Sequence, residues 1–332
     1  MIGGIALNKV LLVMYLLGLA VSAVCLILAV KKRKEELNLV KGGVKFAVIA
    51  FYTNFFDTWG IGSFAPTIAS WRFMKAPIKE NHYPGTLNFG DAFPVTVEAI
   101  CFLEFVEIDG LTLFLMVVAA AAGAWIGVGI VSKLDIQKIR IAMAVCLIAT
   151  AVVLFCKVSE IGPFEEKKSD LAVEDVENES ELVSESVENE SDSAAKDVGN
   201  ESELGLRGVK LVIGIVVNFF LGALMMIGFG LYVPCTALVA LLGMSVGAAF
   251  PIMMGSCCLL MNVSVPKWYQ TGAYDINATV HSAVFGSLGA GVAYLLTKYM
   301  FDMEMLTYLM CCVMVFTGLM YARDASAKKK AS

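Results

Sequence analysis

Two copies of a glycine and proline pattern lie in strongly apolar parts of the chain. Both have the spacing G-x-G-x-x-x-P: Gly60, Gly62 and Pro66 in the first copy, and Gly228, Gly230 and Pro234 in the second. Proline removes a backbone donor and glycine tolerates a broken helix, so each copy predicts an interrupted helix. The freed N–H groups at the start of a half-helix attract anions. We therefore expect these residues to bind a substrate, although a kink between packed helices would use the same residue types.

An asparagine precedes each glycine pattern. Asn54 and Asn218 each begin an Asn-Phe-Phe triplet. Their amides could donate hydrogen bonds to a bound anion, or they could form hydrogen bonds between helices, as asparagine often does in membranes. Both interpretations stay open, and we include Asn54 and Asn218 among the predicted substrate-binding residues.

Three carboxylates fall inside or beside apolar segments of the first copy, namely Asp57, Asp91 and Glu98. Asp91 and Glu98 are seven residues apart, which places them on one face of a helix. Carboxylates within a membrane are energetically expensive and usually functional. We expect these three residues to serve in coupling or gating. A structural ion pair between Glu98 and Arg72 or Lys75 is the alternative.

A second pattern, G-x-A-F-P, also occurs twice, at residues 90–94 and 247–251. The second copy has Ala248 in the place of Asp91 and Gly255 in the place of Glu98. The carboxylates thus belong to one half only. This asymmetry indicates that one half carries the coupling or gating function.

Motifs for other classes of chemistry are missing from the sequence. No phosphate-binding loop, zinc-binding helix or nucleophile elbow is present, and the chain has only 2 histidines. The 9 cysteines lie in or beside apolar segments without metal-ligand spacing, which favours a packing role. We expect no enzyme activity, no metal, no cofactor and no nucleic-acid partner.

The composition indicates a membrane protein. Hydrophobic residues make up 58% of the chain and charged residues only 17%, whereas soluble domains have about 25% charged residues. Nine apolar segments are long enough to be candidate spans: 4–30, 44–70, 87–107, 111–132, 139–157, 208–234, 243–265, 276–299 and 302–322. The predicted fold is an all-α polytopic membrane protein with about eight to nine transmembrane helices, in two pseudo-symmetric four-helix repeats with broken or re-entrant helices.

Five regions follow from this division: an N-terminal helix with a basic loop at 1–43, a first repeat at 44–157, a linker at 158–207, a second repeat at 208–322 and a basic tail at 323–332. Because each repeat has four segments, we expect both repeats to have the same orientation. Residues 157–207 contain 16 acidic and 5 basic residues with almost no aromatic side chains. Such a composition predicts a disordered segment.

The basic residues give an incomplete topology. The cluster at 31–34 favours a first helix with its N-terminus outside, and the tail at 328–330 would then also lie inside. With nine full crossings, however, the loop containing Lys133, Lys138 and Arg140 lies outside, against the positive-inside rule. Re-entrant segments would change this assignment.

Each half also resembles a known family of transporters. Residues 105–109 leading into the alanine- and glycine-rich stretch 119–129, and residues 242–249 after the second proline, resemble the sulfite exporter TauE/SafE family, also called the 4-toluene sulfonate uptake permease family. The resemblance covers roughly residues 44–322 outside the linker. It departs at the glycine triplet of the family, of which each copy here keeps two glycines. The resemblance implies transport of small sulfur-containing or organic anions.

The sequence thus predicts a multi-pass secondary transporter of the cell membrane for a small organic or sulfur-containing anion, such as sulfite, a sulfonate or sulfoacetate. Its site would lie between the two repeats, and coupling to protons or sodium and a homo-oligomeric state stay open. The alternative from another class is a membrane-anchored accessory or assembly protein that recruits partners through the acidic linker.

Overall fold

The computed structural model describes residues 2–38, 43–105, 108–131, 205–226 and 230–300, and single residues or pairs between 145 and 155 and between 308 and 319. The described residues form helices and no strands, as expected for a helical membrane protein. Gly228, nearly all of the linker, most of the predicted segments at 139–157 and 302–322, and the C-terminal tail lie outside the described residues.

Eleven α-helices follow one another along the described chain. They are α1 (Ile2–Lys32), α2 (Gly43–Asp57), α3 (Phe64–Phe73), α4 (Tyr83–Gly90), α5 (Ala92–Phe105), α6 (Gly110–Val131), α7 (Gly208–Met225), α8 (Tyr232–Leu241), α9 (Val246–Thr271), α10 (Ile276–His281) and α11 (Ser287–Met300). A π-helix (Ser282–Gly286) joins α10 to α11.

Four helical stretches are long and apolar enough to cross a membrane. They are Leu7–Lys32, Gly208–Met225, Gly247–Thr271 and Ile276–Tyr299. The stretch Gly247–Thr271 in α9 is almost entirely buried by its neighbours, and it forms the centre around which the other helices pack. The boundaries differ from those predicted, since α9 extends six residues beyond 265. Pro251 and Pro266 both lie inside this helix without ending it.

The α2 and α3 helices form a hairpin, which we call hairpin 1. Thr67 of α3 donates a hydrogen bond of 2.9 Å to Thr53 of α2. One turn further along, Ser70 and Tyr52 also share a hydrogen bond. Contacts that pair later residues of α3 with earlier residues of α2 require antiparallel helices. Hairpin 1 therefore returns toward the end of the molecule from which it started.

The α7 and α8 helices form a second hairpin, which we call hairpin 2. A Cβ atom at Gly214 of α7 would lie 3.4 Å from Leu242, just past the end of α8. A Cβ atom at Gly243 would lie 3.3 Å from the Lys210 amine near the start of α7. Hairpin 2 therefore also folds back toward its starting end.

Three elements run in one direction. Gly43 at the start of α2 faces His281, and Trp59 beyond the end of α2 donates a 2.9 Å hydrogen bond to Thr297, so α2 is parallel to the α10–α11 segment. Ser282 donates a hydrogen bond to Asp91 at the start of α5. Tyr294, which follows Ser282 by 12 residues, contacts the ring of Phe102 near the end of α5, so α5 is parallel to the same segment.

The α6, α7 and α9 helices run in the opposite direction. Asn262 donates a 2.9 Å hydrogen bond to Thr96 of α5, while Phe250 stacks on Phe102, so α9 is antiparallel to α5. Gly255 of α9 packs at Val117 of α6, and Ser264 and Ala124 line a common cavity, so α6 is parallel to α9.

The α7 helix runs in the same direction as α6. Leu206 before α7 bonds to Thr112 at 2.9 Å, and Asn218 of α7 donates a 2.8 Å bond to the carbonyl of Met116. Hairpin 2 therefore starts from the end of the molecule opposite to the start of hairpin 1. The prediction that the two halves share one orientation is wrong for these elements, because even numbers of apolar segments give equal orientations only when every segment crosses.

The α6 and α7 helices touch along their backbones. A Cβ atom at Gly123 would collide with the carbonyl of Phe219, and a Cβ atom at Gly222 would collide with that of Ala120. Glycine permits this approach, as small residues commonly do between membrane helices. The contact fixes hairpin 2 against α6.

An ion pair fastens the start of α7 to the start of α6. Arg207 donates two hydrogen bonds of 2.8 and 2.9 Å to the Asp109 carboxylate. Asp109 also caps α6 by accepting from the Thr112 N–H at 2.8 Å. Asp109 lies in the loop between α5 and α6, and its hydrogen bonds with Arg207 lower its pKa to about 2. The residues that follow the acidic linker are therefore anchored to the first half.

Candidate functional site

The tip of hairpin 1 is a break in the helix built on glycines. The α2 helix ends at Asp57, and Gly60 and Gly62 follow with φ of +83° and +86°, which L side chains rarely adopt. The chain becomes helical again at Phe64, and Pro66 is the third residue of α3. Proline is tolerated there because the first N–H groups of a helix have no intrahelical acceptor. The predicted break at Gly60, Gly62 and Pro66 is present.

Hairpin 2 also has a helix break followed by a proline. The α7 helix ends at Met225, and α8 begins at Tyr232 with Pro234 as its third residue. Gly230 lies in the break, in open space, with no atom within 4 Å of where its Cβ would stand. Both predicted breaks therefore end two residues before a proline, in matching register.

The two tips meet. A cavity of about 20 Å³ is lined by residues 62–64 of hairpin 1 and by residues 230–232 of hairpin 2, together with Asp57, Met225 and Met261. This volume has room for about one water molecule. The first turns of α3 and α8 both border the cavity, so the positive ends of two helix dipoles are directed at one point. Gly62 and Gly230 are the predicted glycines on the cavity wall.

Glu98 connects the two tips. It is fully buried in α5. The hydroxyl of Tyr232, at the start of α8, donates a 2.6 Å hydrogen bond to Glu98 Oε2. Thr58 Oγ1, just past the end of α2, lies 2.9 Å from Glu98 Oε1. One carboxyl group on a central helix therefore holds both hairpin tips.

The hydrogen atoms around Glu98 can be counted. Thr58 Oγ1 also lies 3.0 Å from the carbonyl oxygen of Asn54. A threonine hydroxyl has a single hydrogen to donate. This hydrogen reaches only one of the two acceptors at a time, and the Asn54 carbonyl also accepts the Thr58 backbone N–H at 3.2 Å. If Glu98 is protonated, it can donate to Thr58 while the Thr58 hydroxyl donates to Asn54. With a proton on Glu98, every contact in this chain is a hydrogen bond.

Asp91 has a separate set of partners. Ser63 of the first tip donates a 3.2 Å hydrogen bond to Asp91 Oδ2, and Ser282 donates to Oδ1. Ser282 opens the π-helix, a departure from α-helix geometry that is frequent at functional sites. Asp91 lies at the junction of α4 and α5, and its carbonyl accepts the first helical hydrogen bond of α5, from the Val95 N–H at 3.1 Å. The predicted seven-residue spacing of Asp91 and Glu98 therefore falls on one helical stretch.

No positive side chain balances these carboxylates within the described residues. Asp57 is buried and lines the cavity beside Glu98. Arg72, which the sequence offered as a partner for Glu98, instead forms an exposed ion pair with Glu80 at 3.4 Å. The described part of the chain also has no group of three His, Cys, Asp or Glu side chains that could hold a metal ion.

The two asparagines lie away from the cavity wall. Asn218 donates to the Met116 carbonyl of α6 and to Ser256 of α9 at 2.9 Å, so its amide joins three helices. Asn54 donates to the Ala50 carbonyl of its own helix at 2.9 Å. Their side-chain oxygens find no partner in the described structure. Of the two functions considered for Asn218, the contacts are those of a helix-to-helix bond, and direct substrate binding by either amide stays a prediction.

The absence of a carboxylate at Gly255, the counterpart of Glu98, has a steric reason. A Cβ atom at Gly255 would collide with the hydroxyl of Tyr15, which belongs to the extra helix α1. Tyr15 is buried and fills the space that a longer side chain at 255 would need. The first helix thus makes the two halves chemically unequal.

Sequence reasoning missed the most important partner of Glu98. Tyr232 occupies the same place in the second pattern as Phe64 in the first, four residues after the leading glycine. The signal in the sequence is the hydroxyl of Tyr232, which has no counterpart at Phe64 in the other copy.

The comparisons with known proteins leave the site to be interpreted from its geometry. No family model matches the chain, and no curated protein and no solved structure matches it either.

Proposed function

We propose that this chain is a multi-pass secondary transporter of the cell membrane, which moves a small organic or sulfur-containing anion together with protons. The observation that carries the proposal is the position of Glu98, a buried carboxyl group that bonds to both hairpin tips across a shared cavity. The anion would bind between the tips, and Glu98 would carry the proton.

The proposed topology has seven crossings and two re-entrant hairpins. Hairpins 1 and 2 would enter from opposite sides and meet within the membrane, as in transporters with inverted repeats. Two of the seven crossings are the apolar segments 139–157 and 302–322, which lie outside the described residues. The nine apolar segments of the sequence are then all used.

The charge distribution supports this topology. With both hairpins re-entrant, the loop containing Lys133, Lys138 and Arg140 lies on the same side as the basic clusters at 31–34 and 328–330. All these basic residues are then cytoplasmic, as the positive-inside rule requires. The acidic linker lies on the outer side. Nine full crossings would instead leave one of these clusters on the wrong side.

The contacts of Glu98 are compatible with a proton as the coupling species. A protonated Glu98 can donate to Thr58 while the Thr58 hydroxyl donates to the Asn54 carbonyl, which also accepts the Thr58 N–H at 3.2 Å. Asp91 and Glu98 have separate hydrogen-bond partners, and a sodium or other metal ion would need converging oxygen ligands.

Protonation and anion binding would reinforce each other. Ionised carboxylates at Asp57, Asp91 and Glu98 would repel an anion at the cavity, because charges in a low-dielectric interior interact strongly. A proton on Glu98 removes one of these charges, and the N–H groups at the starts of α3 and α8 then attract the anion. The cavity has room for about one water molecule, so the anion requires the tips to separate.

Thermal unfolding of the purified protein tests the proposal. We would measure stability with sulfite, sulfate, thiosulfate, sulfoacetate, taurine and simple carboxylates at two pH values. A ligand at 100 times its Kd stabilises the native state by about 2.7 kcal/mol. We expect one class of anion to stabilise the protein, and to do so more strongly at the lower pH.

Gly230→Leu supplies the control for that experiment. Its side chain would occupy the space between the tips, and its Cβ atom would meet no other atom within 4 Å. We expect the variant to fold and to lose the ligand effect. Stabilisation that is independent of pH, or that survives in Gly230→Leu, would contradict the proposed site.

A further inference from the structure

We propose that a second cavity binds an organic anion that carries a small apolar group. This cavity, which we call the Trp268 cavity, lies at the C-terminal end of α9. Its walls include Ala124 and Trp125 of α6, Met226 after α7, and Ser264, Lys267 and Trp268 of α9. None of the predicted site residues belongs to it.

The size and walls of the Trp268 cavity suit an apolar group. Its volume is about 120 Å³. An engineered apolar cavity of about 150 Å³ binds benzene. Trp125, Trp268 and Met226 provide aromatic and polarisable surface, which packs well against a ring or a short branched alkyl group.

Two polar groups of the Trp268 cavity can only donate hydrogen bonds, and the hydroxyls of Ser264 and Thr271 in the same wall are already bonded to backbone carbonyls. Trp268 Nε1 is buried and has no acceptor in the described structure. A buried donor without an acceptor is unfavourable by about 1–3 kcal/mol. Lys267 borders the same cavity and forms no ion pair with any described residue. Because indole N–H and ammonium groups only donate, the ligand must supply acceptor oxygens and a negative charge.

The Trp268 cavity lies at the end of the molecule that carries the basic cluster of α1. Arg33 donates a 2.7 Å hydrogen bond to the carbonyl of Gly272, just past the end of α9. The Lys32 amine lies 5.8 Å from the centre of the Tyr269 ring. By the positive-inside rule this end is cytoplasmic. The cavity therefore lies at the cytoplasmic end of α9.

The Trp268 cavity is close to the cavity between the hairpin tips. Met225 lines the tip cavity and its neighbour Met226 lines the Trp268 cavity. On α9, Met261 and Trp268 line the two cavities and are seven residues apart, which is about 10 Å along the helix. On the basis of the proposed function, the Trp268 cavity is the cytoplasmic binding station for the transported anion. Binding itself does not depend on that function.

Calorimetric titration with benzoate tests the proposal. We would use the full-length protein in nanodiscs of zwitterionic lipid, with benzyl alcohol as the uncharged probe of equal ring size. We expect benzoate to bind at least about 10-fold more tightly than benzyl alcohol, since a hydrogen bond to a charged group contributes about 1.5–3 kcal/mol. Lys267→Gln and Trp268→Phe should each weaken benzoate binding about 10-fold.

Lys298→Gln provides the matched control, because Lys298 also lies beside an aromatic ring but on a different helix. It should leave benzoate binding unchanged. Trp268→Phe keeps an aromatic ring but removes the donor together with part of the indole, so a folded variant with unchanged affinity would overturn the proposal. Equal affinity for benzyl alcohol and benzoate would overturn it too.

Two further experiments distinguish a lipid headgroup from a free solute as the natural ligand, and ask whether binding depends on transport. If an anionic lipid headgroup is the natural ligand, benzoate binding should be abolished in nanodiscs that contain phosphatidylglycerol. If a free solute is the natural ligand, benzoate binding should persist in those nanodiscs. Glu98→Gln should leave benzoate binding intact even where it abolishes proton-coupled transport. Proton-coupled transport that survives in Glu98→Gln, with benzoate binding intact, would therefore contradict the proposed function alone.

Discussion

Removal of the Tyr232 hydroxyl is the perturbation that most directly tests the contact between the hairpin tips. In Tyr232→Phe the ring stays and fills the same buried space, while Glu98 Oε2 loses the donor that lies 2.6 Å away. A buried acceptor without a partner destabilises the folded state by about 1–3 kcal/mol. Because this bond joins α5 to hairpin 2, we expect the loss to fall on the closed arrangement of the tips.

The size of the effect on the tips follows from that free energy. A loss of about 1–3 kcal/mol from the closed state alone shifts the ratio of closed to separated tips about 5- to 150-fold. A cysteine at Gly230, in the open space of the cavity wall, reports the separation. We would measure its rate of modification by a small water-soluble thiol reagent, relative to protein without that cysteine. Tyr232→Phe should raise this rate at least about 5-fold.

Tyr299→Phe is the control, because Tyr299 is exposed on α11. It should change neither the modification rate nor the thermal stability. If Tyr232→Phe also leaves both unchanged, the hydrogen bond with Glu98 does not hold the tips together, and the reasoning is refuted.

Two further predictions concern the framework around the tips. Gly222→Ala should lower the melting temperature of the folded protein, because the added Cβ would lie 2.8 Å from the Ala120 carbonyl carbon, whereas Gly291→Ala on α11 meets nothing within 4 Å and should be close to neutral. Separately, the Asp109 carboxylate has a lowered pKa of about 2 in the folded protein, so its contribution to stability is present above its usual pKa of 3.8 and is lost as the pH falls toward 2. Asp109→Asn should therefore be less stable than the parent protein at pH 7 by chemical denaturation, and the two should converge only as the pH approaches 2. A constant difference across that range would rule out the ion pair with Arg207 as the cause.

The breaks in the helices could be predicted because their causes are local. Gly60 and Gly62 adopt positive φ, and Pro66 and Pro234 stand at the third positions of α3 and α8, where proline is tolerated. Such preferences depend on residue type and spacing alone.

The contacts that make the candidate site are not local, and the sequence could not supply them. Glu98 and Tyr232 are 134 residues apart, and the π-helix that brings Ser282 to Asp91 has no sequence signature. The directions of the hairpins also depend on whether a broken segment crosses or returns. That choice is made by contacts between helices, such as the bond between Thr53 and Thr67, and charge counting could not resolve it.

Proton movement during anion uptake by Glu98→Gln tests the central claim most directly. Glutamine can donate to Thr58 and accept from Tyr232, as the protonated glutamate does, so the tips should stay closed and the protein folded. We would reconstitute the protein in liposomes with a trapped pH-sensitive dye and add the anion that stabilises it. In the parent protein and in the exposed control Glu80→Gln, the account predicts that protons enter with the anion. In Glu98→Gln it predicts that the anion either moves without protons or does not move. Proton-coupled uptake by Glu98→Gln at the parent rate would contradict the account.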